Sequence, residues 1–204
     1  ALSVHSFGDL PRSAIEEARE KVAQLIGATA KEIYFTASGS EANNMALKGV
    51  AFMNRKKGNH IVVSAIEHQS VLNPAATLGK MGFTVTHIPV DRYGVVSPEA
   101  VAQALRDDTI LVSVMHGNNE IGTIEPIEEI AKVVRQTEAV FHTDAIATVG
   151  KIPVNVEKLD VDLLSLSGNQ FYGPLGSGAL FIKRGVKITP LIEGGVQEGG
   201  RRAG

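Results

Sequence analysis

The chain has 204 residues, 44% hydrophobic and 21% charged, with a net charge of −2 and no cysteine. It is long enough for one full core without staples, and its near-neutral charge excludes a nucleic-acid surface as its main business. The lack of cysteine excludes disulfides, thiolate metal sites and thiol nucleophiles within the chain, and no apolar run reaches the roughly 18 residues of a membrane helix.

The first residues, ALSVHSFGDLPR, lack the basic start and long apolar stretch of a signal peptide. The chain does not start with methionine and ends in a glycine-rich GGRRAG, so a piece of a longer polypeptide is expected. Residues 11–26 carry apolar side chains at Ile15, Ala18, Val22, Leu25 and Ile26, a helical period. Ser13 with Glu16 predicts a capping box, and Gly27 a stop. EIYFT (32–36) reads as a strand and residues 37–40 as a tight turn. A helix from Glu41 to about Arg55 follows. HIVVS (60–64) is a strand, and Glu67-His68 leads into a helix ending by Gly82. Residues 83–90 form a strand and 91–94 a turn. Ser97-Pro98 is an N-cap with proline at the first helical position, opening a helix to about Leu105. TILVSVM (109–115) is a strong strand. The loop 116–125 is polar and rich in amides, and Pro126 opens a helix to about Gln136. Residues 139–143 form a strand ending at Asp144. VDLLSL (161–166) is a buried strand that stops at Ser167-Gly168, before a glycine-rich stretch with Asn169, Gln170 and Tyr172. GALFIK (178–183) is the last strand.

Sustained strand–helix alternation implies an α/β fold: a mostly parallel sheet with helices on both faces, forming one domain over residues 1–204. Ligands in such sheets bind beyond the carboxyl ends of the strands. Five strand ends present polar groups: Gly39 and Ser40; His68; His116, Asn118 and Asn119; Asp144; and Ser167, Asn169 and Gln170. Each has a bland alternative. Gly39-Ser40 either caps a helix or holds a phosphate on free N–H groups. His68 either caps a helix or stacks on a flat ligand. Asn118-Asn119-Glu120 either stabilises a turn or donates to a ligand oxygen. Asp144 follows an apolar strand and needs a partner, either within the fold or a protonated ring nitrogen. Ser167 either caps its strand or contacts phosphate.

The blocks FTASGSEANN, IEHQSVLNP, VSVMHGNNEIGTIEPI, FHTDA and LLSLSG-x-x-FYGPLGSGALFI, with SVHSFG before and GGVQEGGRRAG after, resemble the NifS/IscS-type cysteine desulfurases. These belong to the class V aminotransferase group of fold-type I pyridoxal-phosphate enzymes, and the resemblance runs along essentially the whole chain. It implies that this is the cofactor-binding large domain of such an enzyme, with the small C-terminal domain absent from the chain. It also implies that Gly39, Ser40 and Ser167 bind the cofactor phosphate, that His68 stacks on the pyridine ring and that Asn119 lies near its phenolic oxygen. Asp144 would pair with the ring nitrogen, and Asn169 and Gln170 would border the cofactor.

The departures carry weight too. The family has histidine-lysine where this chain has Asn169-Gln170. That lysine makes the Schiff base; a glutamine amide neither forms an imine nor serves as a base at neutral pH. Ala147 stands where the family has a cofactor-contacting glutamine. The sulfur-accepting cysteine lies in a later segment of the family. The resemblance therefore implies noncovalent pyridoxal phosphate, L-cysteine or a similar amino acid as substrate, and an iron–sulfur scaffold or other sulfur acceptor as partner. It further implies a homodimeric, cytoplasmic parent without nucleic acid or membrane. With no lysine, His68 is the candidate acid/base. The alternatives are a catalytically impaired scaffold for a sulfur- or cluster-accepting protein and, more remotely, a nucleotide-binding α/β domain. The second lacks a GxGxxG or GxxxxGK[ST] run.

Overall fold

The structure, a computed structural model, describes residues 5–204; of SVHSFG, Ser3 and Val4 lie outside the described residues. Seven short strands make one sheet: β1 (Ile33–Thr36), β2 (His60–Ser64), β3 (Thr84–Ile88), β4 (Thr109–Ser113), β5 (Val140–Asp144), β6 (Leu163–Ser167) and β7 (Gly178–Ile182). Their order is β1-β7-β6-β5-β4-β2-β3. The β6-β5-β4-β2-β3 neighbours pair in parallel, whereas β7 runs antiparallel to both β6 and β1.

Strands β2, β4, β5, β6 and β7 are buried almost throughout, because helices cover both faces. On one face lie α1 (Asp9–Ile26), α4 (Pro98–Ala104), α5 (Ile127–Val134) and α6 (Val156–Leu159), around a core that includes Ile26, Val101, Ile130 and Phe141. On the other lie α2 (Gly39–Asn54) and α3 (Gln69–Lys80), around Met45, Leu47, Val71 and Leu78. Helix α2 buries Ala42, Asn43, Met45, Ala46, Leu47, Val50 and Ala51. A helix apolar on most sides is an interior element, and α2 sits across the middle strands.

One expectation fails at helix α1, and one short helix beyond β5 went unread. Helix α1 starts at Asp9, so Ser13 and Glu16 lie inside it and form no capping box. Proline at position 11 is tolerated in the first helical turn, and Asp9 there accepts a bond from Arg12 at 3.0 Å. Gly27 does stop the helix, at a left-handed φ of 69°. A side-chain cap occurs later, where Glu32 Oε2 accepts from the Thr29 N–H and hydroxyl at 3.1 and 2.8 Å. Helix α6, one turn capped by Asn155, is too short to show a period.

Polar residues inside the sheet are paired across strands. The buried His142 ring lies 2.8 Å from Ser113 Oγ on β4 and 3.0 Å from Ser165 Oγ on β6. His60 on β2 likewise contacts Thr109 and Thr86 at 2.7 and 2.8 Å. Burial pushes the His142 imidazole down to about 3, so it is neutral at ordinary pH.

The last residues fold back on the start of the sheet. Arg19 of α1 donates two bonds to Glu198, at 2.6 and 2.9 Å, and a third to the Ile33 carbonyl at 2.7 Å. Glu198 also accepts from the Phe35 N–H. Arg202 donates to Glu41 in the first turn of α2 at 2.7 and 3.3 Å. Charge-assisted, two-pronged pairs of this kind fix direction as well as distance.

Candidate functional site

The carboxyl ends of β1, β2, β4, β5 and β6 open on one cavity of about 270 Å³. At the end of β1, Ser38 caps α2, its hydroxyl accepting from the Glu41 N–H at 3.1 Å. Gly39 and Ser40 are thus the first residues of α2 rather than a separate turn. The first amides of a helix have no partner within it and lie at the positive end of its dipole. Both residues line the cavity. A Cβ on Gly39 would lie 2.2 Å from Ile146 Cδ1 and 3.2 Å from Ser167 Cβ, so only glycine leaves this end open.

At the end of β5, Asp144 is only 3% exposed. Its Oδ1 accepts from the Ile146 N–H at 2.9 Å and its Oδ2 from Asn43 Nδ2 at 2.7 Å. Burial raises its carboxyl above the usual range; the bonds from Ile146 and Asn43 and the nearby His68 pull the other way. A cationic ring nitrogen would complete this carboxylate. At the end of β2, His68 is the N-cap of α3: its Nδ1 accepts from the Ser70 N–H at 3.1 Å.

The amide-rich loop after β4 divides its work. Asn118 ties the loop, donating to the Ile66 carbonyl at 3.0 Å and accepting from the N–H groups of Glu120 and Ile121. Asn119 lines the cavity. His116 is buried against Thr148 at 2.8 Å and does not line it. At the end of β6, the Ser167 hydroxyl donates to Asn169 Oδ1 at 2.6 Å. Gln170 follows on a short 3₁₀ turn, and its Oε1 accepts from Lys151 Nζ at 3.4 Å. Ser167, Asn169, Gln170 and Ala147 all line the cavity.

Three buried polar side chains escaped the sequence reading. Asn43 stands four residues after Gly39, one helical turn further along the same face, which is the signal that could have found it. Ser70 lies two residues beyond His68. Glu67 sits beneath the cavity, its Oε1 accepting from Ser64 Oγ at 2.6 Å and from the Met115 N–H at 2.7 Å. Its Oε2 has no partner among the described residues.

Burial pushes Glu67 up to about 8, with the neighbouring Asp144 and Glu125 adding to the rise. The folded chain therefore keeps this proton between about pH 4.5 and 8, while the unfolded chain releases it, and stability falls as pH rises through that window. Glu67→Gln keeps the acceptor and removes the titration. Its stability relative to wild type should climb from pH 4.5 to 8, by on the order of 5 kcal/mol in all at about 1.4 kcal/mol per unit. Urea midpoints at pH 4.5 and 8.5 check this; equal differences at both would show that Glu67 does not hold the proton.

The donor set suits one kind of ligand. The first turn of α2 and the Ser167 hydroxyl suit an anion, Asp144 suits a protonated ring nitrogen, and the His68 ring offers a flat face. Pyridoxal phosphate carries all three complements, and the gap kept by Gly39 gives its phosphate end room.

Comparison with known proteins agrees with this chemistry. The family described as Aminotransferase class-V matches residues 2–198. A cysteine desulfurase IscS of Dictyoglomus turgidum is 58% identical over 202 residues, covering 99% of this chain and 51% of that protein. One from Methanosarcina thermophila is 54% identical, covering 99% and 50%. The chain spans about half the length of the curated relatives it matches. Among solved structures, a NifS-like protein superposes with a TM-score of 0.96 at 44% identity, over 99% of this chain and 56% of that one. SspA in complex with cysteine gives 0.96 at 40%, over 100% and 59%.

Proposed function

The chain belongs to the aminotransferase class-V family, and on that premise we propose that it is the pyridoxal-phosphate-binding large domain of a cysteine desulfurase-like protein. In this reading a small C-terminal domain completes the parent, which is a cytoplasmic homodimer. The parent draws sulfur from L-cysteine and delivers it to an iron–sulfur scaffold or another acceptor protein. The observation that carries the reading is the meeting of Asp144 and the first turn of α2 at one cavity.

Each side chain then has a task. The amides of Gly39 and Ser40 and the hydroxyl of Ser167 bind the phosphate. Asp144 keeps a proton on the ring nitrogen, Asn119 donates near the ring oxygen, and His68 covers a ring face and holds a proton at its edge. When bound, the cofactor supplies an electron sink for bonds at the substrate's α-carbon. No bond to it comes from position 170, because Gln170 carries an amide; noncovalent contacts hold it there.

Gln170 and Ala147 together favour a second reading, an impaired scaffold that binds a sulfur- or cluster-accepting partner. Without a lysine base, proton transfers forfeit on the order of 10²–10⁴-fold in rate. Calorimetric titration with pyridoxal phosphate, competed by pyridoxamine phosphate, separates the two. One saturable, competed site supports the cofactor domain; no heat from either compound leaves the scaffold.

A further inference from the structure

We propose that Asn43 and Ser70 are positioning residues that fix the His68 tautomer, so that His68 presents an Nε2–H donor at the end of a chain of bonds anchored on Asp144. The proposal deepens the cofactor reading and rests on it for its consequence, though its geometry stands without a ligand.

Donor and acceptor accounting leads to it. The Ser70 N–H, held by the backbone at the start of α3, points at His68 Nδ1 from 3.1 Å. A main-chain N–H only donates, so Nδ1 must be an acceptor and carries no proton. The proton of the neutral ring is therefore on Nε2. Ser70 Oγ also lies 2.7 Å from Nδ1. With Nδ1 accepting, that hydroxyl donates to it, which leaves its lone pairs to accept from elsewhere. Asn43 provides the partner, since its Nδ2 lies 2.8 Å from Ser70 Oγ. The other hydrogen of the same NH₂ group goes to Asp144 Oδ2 at 2.7 Å.

The chain of bonds has one polarity. Asp144 Oδ2 accepts at 2.7 Å, which holds the Asn43 NH₂ toward it. The same NH₂ feeds Ser70, and Ser70 feeds Nδ1. A flipped Asn43 would set its carbonyl against the carboxylate and reverse the Ser70 hydroxyl. Asn43 is wholly buried, and its Oδ1 has no partner among the described residues. The amide thus gives up an acceptor bond to keep both donors engaged. A buried unpaired acceptor is destabilising, which is reason to look for what the arrangement secures. Nε2 of His68 meets no protein partner among the described residues, so its N–H is left for a ligand acceptor such as the thiolate or carboxylate of an amino acid.

The test is the ¹⁵N spectrum of the His68 ring, assigned by its loss in His68→Gln, together with the affinity for pyridoxamine phosphate. Wild type should show unprotonated Nδ1 and protonated Nε2 at alkaline pH. Ser70→Ala keeps the backbone donor but loses the hydroxyl, and should shift the tautomer ratio about fivefold, as one hydrogen bond near 1 kcal/mol requires. Asn43→Asp replaces the NH₂ with an acceptor, turns the Ser70 hydroxyl away from the ring, and should shift the ratio at least as far. Circular dichroism shows whether each variant is folded; if Asn43→Asp is not, Ser70→Ala decides alone. A wild-type ring protonated on Nδ1, or a ratio unmoved in folded Ser70→Ala, overturns the proposal. The expected tautomer without any pyridoxamine phosphate binding would uphold the positioning and sink the cofactor reading.

Discussion

Gln170→Lys should convert a releasable cofactor into a fixed one. After saturation with pyridoxal phosphate and dialysis, wild type should return nearly empty at position 170. The variant should keep close to one equivalent, and borohydride should fix it to the peptide bearing residue 170. The geometry favours this outcome. Residue 170 lines the cavity on the 3₁₀ turn that follows β6, and the lysine chain is one atom longer than the glutamine that already reaches its rim. Covalent closure adds effective concentration rather than new contacts; well-oriented pairs reach about 10⁵ M or more, so even a poorly aligned amine gains orders of magnitude in retention. The substitution is at an exposed position and costs the fold little. Lys151 already lies 3.4 Å from Gln170, so peptide mapping is needed to tell label on residue 151 from label on residue 170. A variant with no label at 170 would mean that its side chain does not reach the ligand.

Asp144→Asn should weaken pyridoxal phosphate by about 10- to 100-fold, the range expected when a hydrogen bond to a charged group, worth about 1.5–3 kcal/mol, is lost. Inorganic phosphate, which makes no demand on Asp144, should bind as before. The substitution also resets the polar chain behind the site. The new amide would keep an acceptor for the Ile146 N–H only by turning its NH₂ toward Asn43, which must then flip its carbonyl inward. The Ser70 hydroxyl would follow that carbonyl and leave His68 Nδ1. Calorimetry with both ligands is the measurement. Equal losses for the two would make Asp144 a structural residue.

The sequence showed the sheet and its rim well because both are local. HIVVS and TILVSVM are continuous apolar runs with abrupt polar ends, and those ends are where an α/β sheet delivers its chemistry. Gly39, Ser40, His68, Asn119, Asp144, Ser167, Asn169 and Gln170 all lie on such ends, and they line one cavity. What stayed hidden depended on partners distant in sequence. Asn43 reads as one more polar residue in a helix until Asp144 is placed opposite it. Glu67 reads as an ordinary carboxylate beside a histidine until Ser64 and the Met115 N–H are seen to enclose it. The antiparallel direction of β7 leaves no periodic mark either. The false capping box at Ser13 has a different origin: the motif was present, but the helix had already begun at Asp9.

The place of β1 at the sheet edge has a consequence for the chain as it leaves the ribosome. Thr36 lies opposite Gly178, and Glu198 reaches back to the Phe35 N–H and to Arg19. Among the described residues, β7 is the strand that pairs with β1. At about 5–20 residues per second, roughly seven to thirty seconds separate the emergence of β1 from that of its clasp. Helix α2 begins directly after β1, so the wall of the cavity that Gly39 and Ser40 form waits through the same interval. A cavity lined from both Gly39 and Ser167 is thus complete only late in synthesis, and a nascent chain stalled before β7 would expose an unpaired strand.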